Sequence, residues 1–446
     1  GITGARRLTR SYPITAYASK DTVIRLRVLA NYGAAAESFV VDSVEISFWN
    51  KCHKCIDTAR LTNSYVRAVG ADRLWNEAPY LQGDGVTIAV LDSGIAEHLD
   101  LQGESWSGRI LDHVDFTGAW FPDDTNGHGS HVAGVVGGDG YSSSGAYRGL
   151  APRADLVDVR VTDDQGRGTT SGVVAGLQWV YDHRDFYNIR VVNLSLNSTA
   201  GGSYHTDPLN AAVEILWFNG IVVVTAAGNN GQSAAGQIFA PANDPFVITV
   251  GAVDDKGTPS LADDALAKFS AYGTTSDGFA KPDLVAPGKN IISLLAGEDS
   301  NLAQEHPANK VSSWAGNAYF KMSGTSVAAP MVAAAAAMLL EAQPGLTPDQ
   351  VKYRLLATAN KNWPGYSAAQ AGAGYLDVYT AVHTATTASS NTGLTASQLL
   401  WTGGNPVTWG AVSWNSVSWN SVSWNSVSWN SVSWNSVSWN SDDWGP

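Results

Sequence analysis

Four polar residues lie in short motifs of glycine and other small residues, and their types are those that acyl transfer to a serine requires. They are Asp92 in residues 89–95 (AVLDSGI), His128 in 126–134 (NGHGSHVAG), Asn229 in 226–231 (AAGNNG) and Ser326 in 323–330 (SGTSVAAP). A serine hydroxyl needs a base to remove its proton, and histidine has a suitable pKa. The histidine needs an acid to fix its tautomer, and the tetrahedral intermediate needs donors for its oxyanion. The chain contains one residue of each type.

The surroundings of these residues favour the same chemistry. Ser326 stands at the start of a predicted helix, where unpaired N–H groups and the helix dipole favour developing negative charge. Glycines flank His128, and Gly324 lies two residues before Ser326, so backbone and substrate can approach closely.

Each residue also has an ordinary structural interpretation. Asp92 could form a turn, His128 could cap a helix, Asn229 could hold a left-handed turn and Ser326 could be an N-cap. His131 is expected to be a packed helix residue, and His98 to order a loop. The occurrence of all four motifs in one chain favours the catalytic interpretation.

The elements that would position these residues alternate along the chain. Short apolar runs predict strands at 86–91, 155–161, 191–196, 221–225 and 247–252, and helical patterns lie at 128–136, 170–183 and 208–219. This alternation predicts an α/β fold, a mostly parallel sheet with helices on both faces. Functional loops in such sheets lie at the carboxyl ends of the strands, where Asp92 and Asn229 stand.

Composition limits the classes of partner. The 446 residues carry 27 Lys and Arg against 40 Asp and Glu, a formal charge of −13, which argues against nucleic acid or an anionic membrane as the main partner. The longest apolar run, 327–340, is too short to span a bilayer and is interrupted by Pro330. Low charge and high glycine content suggest secretion, and the start without Met suggests a processed chain.

The four motifs and their order resemble the subtilisin-like serine proteases, the subtilase family, including its proteinase K-like members. The resemblance covers about residues 70–385, and the order Asp, His, Ser is the one known for subtilisin. It implies the subtilisin-like fold and hydrolysis of protein or peptide substrates. It also implies roles: Ser326 as nucleophile, His128 as general base and acid, Asp92 as orienting carboxylate, and Asn229 as oxyanion donor beside the Ser326 N–H.

The resemblance extends to the substrate cleft. Residues 163–168 (DDQGRG) are similar to the family's segment that pairs with substrate backbone as an added strand, which implies binding by Gly166, Arg167 and Gly168. Residues 195–198 resemble the opposite wall, which shapes the primary specificity pocket through three residues, Ser195, Leu196 and Asn197. The family usually has Gly where Asn197 stands.

A structural calcium ion is a further implication of the resemblance. Pro245, Val247 and Asp283 match positions where relatives bind Ca²⁺ through two carbonyls and a carboxylate, and oxygen ligands suit this hard cation. Loss of thermal stability on chelation is the expected consequence. Acidic pairs at 123–124, 163–164, 254–255 and 263–264 are expected mainly to be solvated loop residues.

The regions outside the predicted peptidase domain (57–385) differ from it in composition. Residues 1–56 read as β-rich, and three interpretations stay open: a trimmed remnant, an inhibitory segment, or strands given to a neighbour. Cys52 and Cys55 lie in CHKC, a spacing that admits a local disulfide, free thiols or half of a metal site. Residues 386–408 read as a linker.

The final segment, 409–446, repeats SVSWN, and a tryptophan recurs every five residues from Trp409 to Trp444. Eight indoles could bury about 1,600 Å², the size of a standard protein interface. The repeat therefore predicts a homo-oligomer, a filament or attachment to a surface, and a tail folded on its own domain is the alternative. Two rival functions stay open: a subtilase fold recruited as a structural or filament-forming protein, and an esterase, although the motif GTSVAAP differs from the usual esterase elbow.

Overall fold

The computed structural model describes residues 55–103, 108–119, 123–199, 201–231 and 238–400, together with Trp409 and the backbone of Val432–Ser433. The chain divides into two compact units, residues 1–53 and 54–446. The predictions made for residues 1–54 and for nearly all of the repeat lie outside the described residues. Cys55 is disulfide-bonded, and Cys52 is the only other cysteine of the chain.

Ten α-helices lie within the described residues. They are α1 (Ser64–Ala68), α2 (Ala71–Asn76), α3 (His128–Gly137), α4 (Thr170–His183), α5 (Pro208–Phe218), α6 (Asn301–Glu305), α7 (Thr325–Ala342), α8 (Pro348–Ala357), α9 (Ala368–Ala371) and α10 (Val378–His383).

The described strands number fifteen. They are β1 (Thr87–Asp92), β2 (Ile110–Asp115), β3 (Asp155–Arg160), β4 (Arg167–Gly168), β5 (Ile189–Leu194), β6 (Val222–Ala226), β7 (Ile248–Asp254), β8 (Ala265–Leu266), β9 (Gly273–Thr274), β10 (Ala280–Lys281), β11 (Leu284–Pro287), β12 (Ile291–Leu294), β13 (Lys310–Ser313), β14 (Gly316–Met322) and β15 (Val432–Ser433).

Seven parallel strands form the central sheet in the order β11-β7-β6-β5-β1-β3-β2, and β8 pairs antiparallel with β7. The five predicted strands are all present, and their apolar runs are buried because helices cover both faces. The predicted fold class is confirmed. Since β1 lies between β3 and β5, the strand order reverses beside it, which is where α/β sheets bind ligands.

Strand β2 was not predicted, because its sequence does not read as an apolar run. Its residues ILDHVD alternate between half-buried and exposed positions. This pattern belongs to an edge strand that meets only β3 and keeps one face in solvent.

Helix α7 forms the centre of the core. Its run of alanines lets it pack closely against α3 and against strands β5, β6 and β7. Among the described residues it is the one helix long and apolar enough to span a membrane, but 89 % of that stretch is buried inside the fold. Its hydrophobicity is therefore explained by its central position.

Residues 386–400, which the composition predicts to be part of a linker, instead pack on the domain that contains the central sheet. The N–H of Ser397 donates to Glu214 Oε2 at 2.7 Å, and Tyr204 donates its hydroxyl to the Thr395 carbonyl at 2.7 Å. Leu400 is buried. The polar residues that suggested a linker include Asn391 and Ser397, which hydrogen-bond to this domain.

Candidate active site

Asp92 and His128 form a buried pair at the carboxyl end of β1. His128 Nδ1 lies 2.9 Å from Asp92 Oδ1 and 3.1 Å from Oδ2. Asp92 is the last residue of β1, and His128 is the first of α3, so two predicted motifs meet where the strand order reverses. A carboxylate at this distance holds the proton on Nδ1 and leaves Nε2 as the acceptor.

Gly129 allows this approach. A Cβ at this position would lie 2.1 Å from the Gly94 carbonyl oxygen and 3.0 Å from Asp92 Oδ1. Any side chain there would push the first turn of α3 away from the loop that follows β1. The glycine after the histidine therefore sets the spacing of the Asp92–His128 pair.

Asp124 supports the pair from behind, and the sequence analysis did not identify this role. Its carboxylate accepts hydrogen bonds from Ser93 Oγ at 2.8 Å, from the Gly127 N–H at 2.8 Å and from Ser130 Oγ at 2.7 Å. Burial raises the pKa of Asp124, although these hydrogen bonds oppose the rise. The residue fixes the loop before α3, and its place two residues before the NGHG motif was the signal available in the sequence.

Ser326 lies in the first turn of α7, and its backbone is held by an unusual contact. Pro330 has no N–H to donate to the carbonyl four residues earlier, which is that of Ser326. The Ser195 hydroxyl donates to this carbonyl instead, at 2.7 Å, and Ser195 in turn accepts from Asn193 Nδ2 at 2.9 Å. The wall predicted for substrate binding thus also orients the predicted nucleophile.

Asn229 is oriented with its amide nitrogen toward the serine. Its Oδ1 accepts from the Thr325 N–H at 2.8 Å and from Thr325 Oγ1 at 2.9 Å. Among the described residues its buried Nδ2 has no hydrogen-bond partner. The position that a Cβ of Gly324 would take lies 3.2 Å from Asn229 Nδ2 and 2.8 Å from Ser326 Oγ. A buried, oriented and unpaired donor beside the hydroxyl is suited to bind an oxyanion.

Replacing Asn229 with Ala should lower kcat on a peptide substrate by about 10²–10³-fold and leave KM nearly unchanged, because the lost donor acts on the transition state. Steady-state kinetics on a chromogenic peptide would measure both constants. Asn230→Ala, at the exposed neighbouring position, is the matched control. A change confined to KM would show that Asn229 contacts the ground-state substrate and not the oxyanion.

The predicted substrate-binding residues lie on two sides of this centre. Arg167 and Gly168 form β4, and Gly166 precedes them in a left-handed conformation with φ 71°. The loop before β4 is tied to the histidine loop, since Asn126 Nδ2 donates to the Asp164 carbonyl at 3.1 Å.

The opposite side consists of Ser195, Leu196 and Asn197, which directly follow β5 and are buried. The Asn197 amide donates to the Ala226 carbonyl at 2.8 Å. The contact joins this wall to the end of β6, three residues before Asn229.

The edge of β4 accepts an antiparallel strand from the chain itself. Backbone pairing joins Val432 to Gly168 and Ser433 to Arg167. The first tryptophan of the repeat, Trp409, is buried with its ring 5.9 Å from that of Tyr181.

The two other histidines near the motifs have structural contacts. His131 Nε2 lies 3.1 Å from the carbonyl oxygens of Ile291 and Phe320, and burial lowers the pKa of its ring to about 3. His98 accepts from the Asp100 N–H at 3.1 Å and contacts the Ala318 carbonyl at 3.0 Å. Both geometries agree with the packing and loop-ordering roles expected for them.

The residues predicted to hold calcium contact a lysine ammonium. Lys352 Nζ lies 2.6 Å from the Pro245 carbonyl oxygen, 3.0 Å from that of Val247 and 3.5 Å from Asp283 Oδ1. Burial lowers the pKa of Lys352 to about 8. Since Nζ already occupies the point on which these oxygens converge, the donor set does not fit Ca²⁺.

Comparison with known proteins places this arrangement among proteases. A sequence model described as the subtilase family, peptidase S8, matches residues 83–375, a range that contains all four motifs. Serine protease AprX of Bacillus subtilis is 41 % identical over 68 % of this chain and 67 % of its own length. A thermostable alkaline protease of Halalkalibacterium halodurans is 34 % identical over 62 % of this chain and 63 % of its own length. The matched region thus covers about two thirds of the length of each of these relatives, 67 % and 63 % respectively.

A solved structure gives the same result. The crystal structure of a cold-adapted subtilisin-like serine proteinase matches with a TM-score of 0.52 and 30 % sequence identity, covering 70 % of this chain and 98 % of that protein.

Proposed function

We propose, from the premise that the chain belongs to the subtilase family, that it is a serine endopeptidase that hydrolyses peptide bonds through an acyl-enzyme. Ser326 is the nucleophile, His128 the general base and then the general acid, and Asp92 the carboxylate that orients the imidazole. Asn229 Nδ2 and the Ser326 N–H bind the oxyanion.

The observation that carries this proposal is the 2.9 Å contact between His128 Nδ1 and Asp92 Oδ1. The contact is buried, and α3, which begins with His128, packs against α7, which carries Ser326. The buried Nδ2 of Asn229, which has no hydrogen-bond partner among the described residues, supports the same assignment.

The reaction follows from these roles. His128 Nε2 takes the proton of Ser326 Oγ as the oxygen bonds to the substrate carbonyl carbon, and negative charge moves to the carbonyl oxygen. When the C–N bond breaks, Nε2 gives the proton to the leaving amine, and the acyl group stays on Ser326. A water molecule then repeats the attack with His128 as base, which releases the carboxylic acid and restores the serine. Asp92 orients the imidazole throughout and stabilises each imidazolium.

Protein or peptide substrates would bind as an added strand along β4. Backbone N–H and C=O groups give affinity in this mode, and side-chain pockets give specificity. The antiparallel pairing of Val432–Ser433 with β4 supports this, because it demonstrates that the edge is geometrically able to accept a strand.

Labelling with a fluorophosphonate tests the activity, combined with casein cleavage on the same sample. The proposal expects covalent labelling of Ser326, identified by peptide mass, and loss of label and of cleavage in Ser326→Ala. Labelling with ester hydrolysis but no casein cleavage would indicate an esterase. Absence of labelling in the intact protein would favour a structural or filament-forming role.

We also propose that the repeat, residues 409–446, mediates self-association or attachment to a surface or filament. Support comes from the sequence, since the regular tryptophans offer enough apolar area for an interface and carry little charge. An extracellular location is proposed too. The disulfide at Cys55 supports it, because such bonds persist in oxidising compartments.

Deleting residues 401–446 should reduce the mass measured by light scattering and leave peptidase activity intact. Because Val432–Ser433 cover the β4 edge, activity of the truncated protein should be equal or higher, never lower. A scattering mass that falls only by that of the removed segment would contradict self-association and favour a tail folded on its own domain.

A further inference from the structure

The ammonium of Lys352 occupies a position that is built for a cation. Beyond the carbonyls of Pro245 and Val247, Nζ also lies 3.1 Å from the Phe246 carbonyl oxygen. Three consecutive carbonyls therefore converge on one nitrogen, and Asp283 adds a carboxylate. The side chain is buried and reaches this loop from α8.

A second buried lysine contacts the same carboxylate. Lys281 Nζ lies 2.8 Å from Asp283 Oδ2 and 3.4 Å from the Val247 carbonyl oxygen. The Thr249 N–H also donates to Asp283 Oδ2, at 2.8 Å. Two buried ammonium groups and one backbone N–H therefore surround the Asp283 carboxylate.

The donor geometry favours an ammonium over calcium. Ca²⁺ requires six to eight oxygen ligands at about 2.3–2.6 Å, whereas the carbonyl oxygens here are spaced for N–H donors at 2.6, 3.1 and 3.0 Å. A divalent ion would also face two lysine charges in a site with low dielectric constant, where like charges repel strongly.

We propose that Lys352 is a covalently attached replacement for a structural metal ion, so that stability at this site depends on the lysine and not on calcium. The lysine joins α8 to the 245–247 loop, which leads directly into β7 of the central sheet. A metal can be lost to a chelator, and a side chain cannot. The site would therefore stay intact where calcium is scarce.

A nearby cavity would give a metal ion access to this site in a variant with a shorter side chain at position 352. It has a volume of about 330 Å³ and is lined by residues that include Pro245, Lys281, Asp283 and Lys352. Shortening Lys352 would join its space to this cavity and leave the carbonyls and Asp283 facing an opening through which a metal ion can enter.

Thermal unfolding of the full chain in excess EGTA and in millimolar CaCl₂ tests the proposal, with the serine blocked by a fluorophosphonate or replaced in Ser326→Ala. The wild-type chain should have the same Tm in both solutions. Lys352→Met, which keeps the volume and removes the charge, should lower Tm by about 5–15 °C, because it leaves buried polar partners uncompensated. Lys352→Ala should be destabilised and should regain part of its Tm with calcium, reversibly on adding EGTA.

The matched control is Lys361→Met, an exposed lysine, which should leave Tm unchanged. A wild-type Tm in Lys352→Met would overturn the proposal. So would a calcium-dependent rise in the Tm of the wild-type chain that Asp283→Asn abolishes, because metal would then bind this donor set. If the Lys352 variants do not fold, calcium binding to the wild-type chain is measured by equilibrium dialysis. Binding that Asp283→Asn removes would overturn the proposal, because metal would then occupy this donor set.

Discussion

Ser326→Ala and His128→Ala should each lower kcat by about 10⁶-fold, and the double variant should lose no more than either single one. The two groups act in one proton transfer, so removing either leaves the other without a function. What survives is catalysis by substrate binding and the oxyanion donors, which are intact because Asn229 is held by Thr325 and not by the serine side chain.

Single-turnover measurements on a chromogenic peptide would determine these rates, with active-site titration to exclude contamination by wild-type protein. Ser260→Ala, at an exposed position, is the control for the serine and should keep full activity. If the effects of the two variants multiplied in the double variant, Ser326 and His128 would act independently, and the proposed mechanism would be incorrect.

The sequence predicted the elements whose residues are uniformly buried. Strands β1, β3, β5, β6 and β7 lie within two residues of their predicted positions, because parallel strands covered on both faces are continuous apolar runs. Helix α4 has the predicted bounds, since its N-cap Thr169 and its polar last turn mark both ends. Strand β2 has no such run, so it was identified from the structure and not from the sequence.

The positions of the candidate site residues could be predicted where they follow local sequence motifs, and not where they depend on contacts between distant parts of the chain. Asp92, His128, Asn229 and Ser326 stand at ends of strands and helices, which a parallel sheet brings to one edge. Lys352 was missed because it lies 107 residues from the Pro245 carbonyl that it contacts. No local pattern separates such a lysine from one on a solvated helix face.

Asp124 is a second residue whose contacts could not be predicted from the local sequence, although its partners are closer along the chain. Its neighbour Asp123 lies in the same loop, and residue type alone does not distinguish the two carboxylates. Asp124 is 2 % exposed and accepts hydrogen bonds from Ser93 Oγ and from the Ser130 N–H. The loop turns the Asp124 carboxylate toward the interior, where it contacts Ser93 and Ser130. These contacts depend on the folded structure and cannot be read from the local sequence.

Asp92→Asn should lower kcat by about 10⁴-fold with little change in KM. Asp92 Oδ1 accepts from the Ser93 N–H at 2.7 Å and lies 2.9 Å from His128 Nδ1, so an asparagine oxygen held by Ser93 keeps the local fold. Its NH₂ group then takes the Oδ2 position, 3.1 Å from His128 Nδ1, where it favours the tautomer with the proton on Nε2. In that tautomer Nε2 cannot take the proton of Ser326.

Kinetics and fluorophosphonate labelling rates of the variant would be compared with those of Asp185→Asn, whose side chain is 89 % exposed. Both variants should unfold close to the wild-type Tm, and only Asp92→Asn should react slowly with the label, because labelling needs the same proton transfer as hydrolysis. A loss of activity below about tenfold in Asp92→Asn, with Tm unchanged, would mean that the buried carboxylate neither fixes the tautomer of His128 nor stabilises its charged form. Since the 2.9 Å contact carries the functional assignment, that result would remove the main support for the proposed triad.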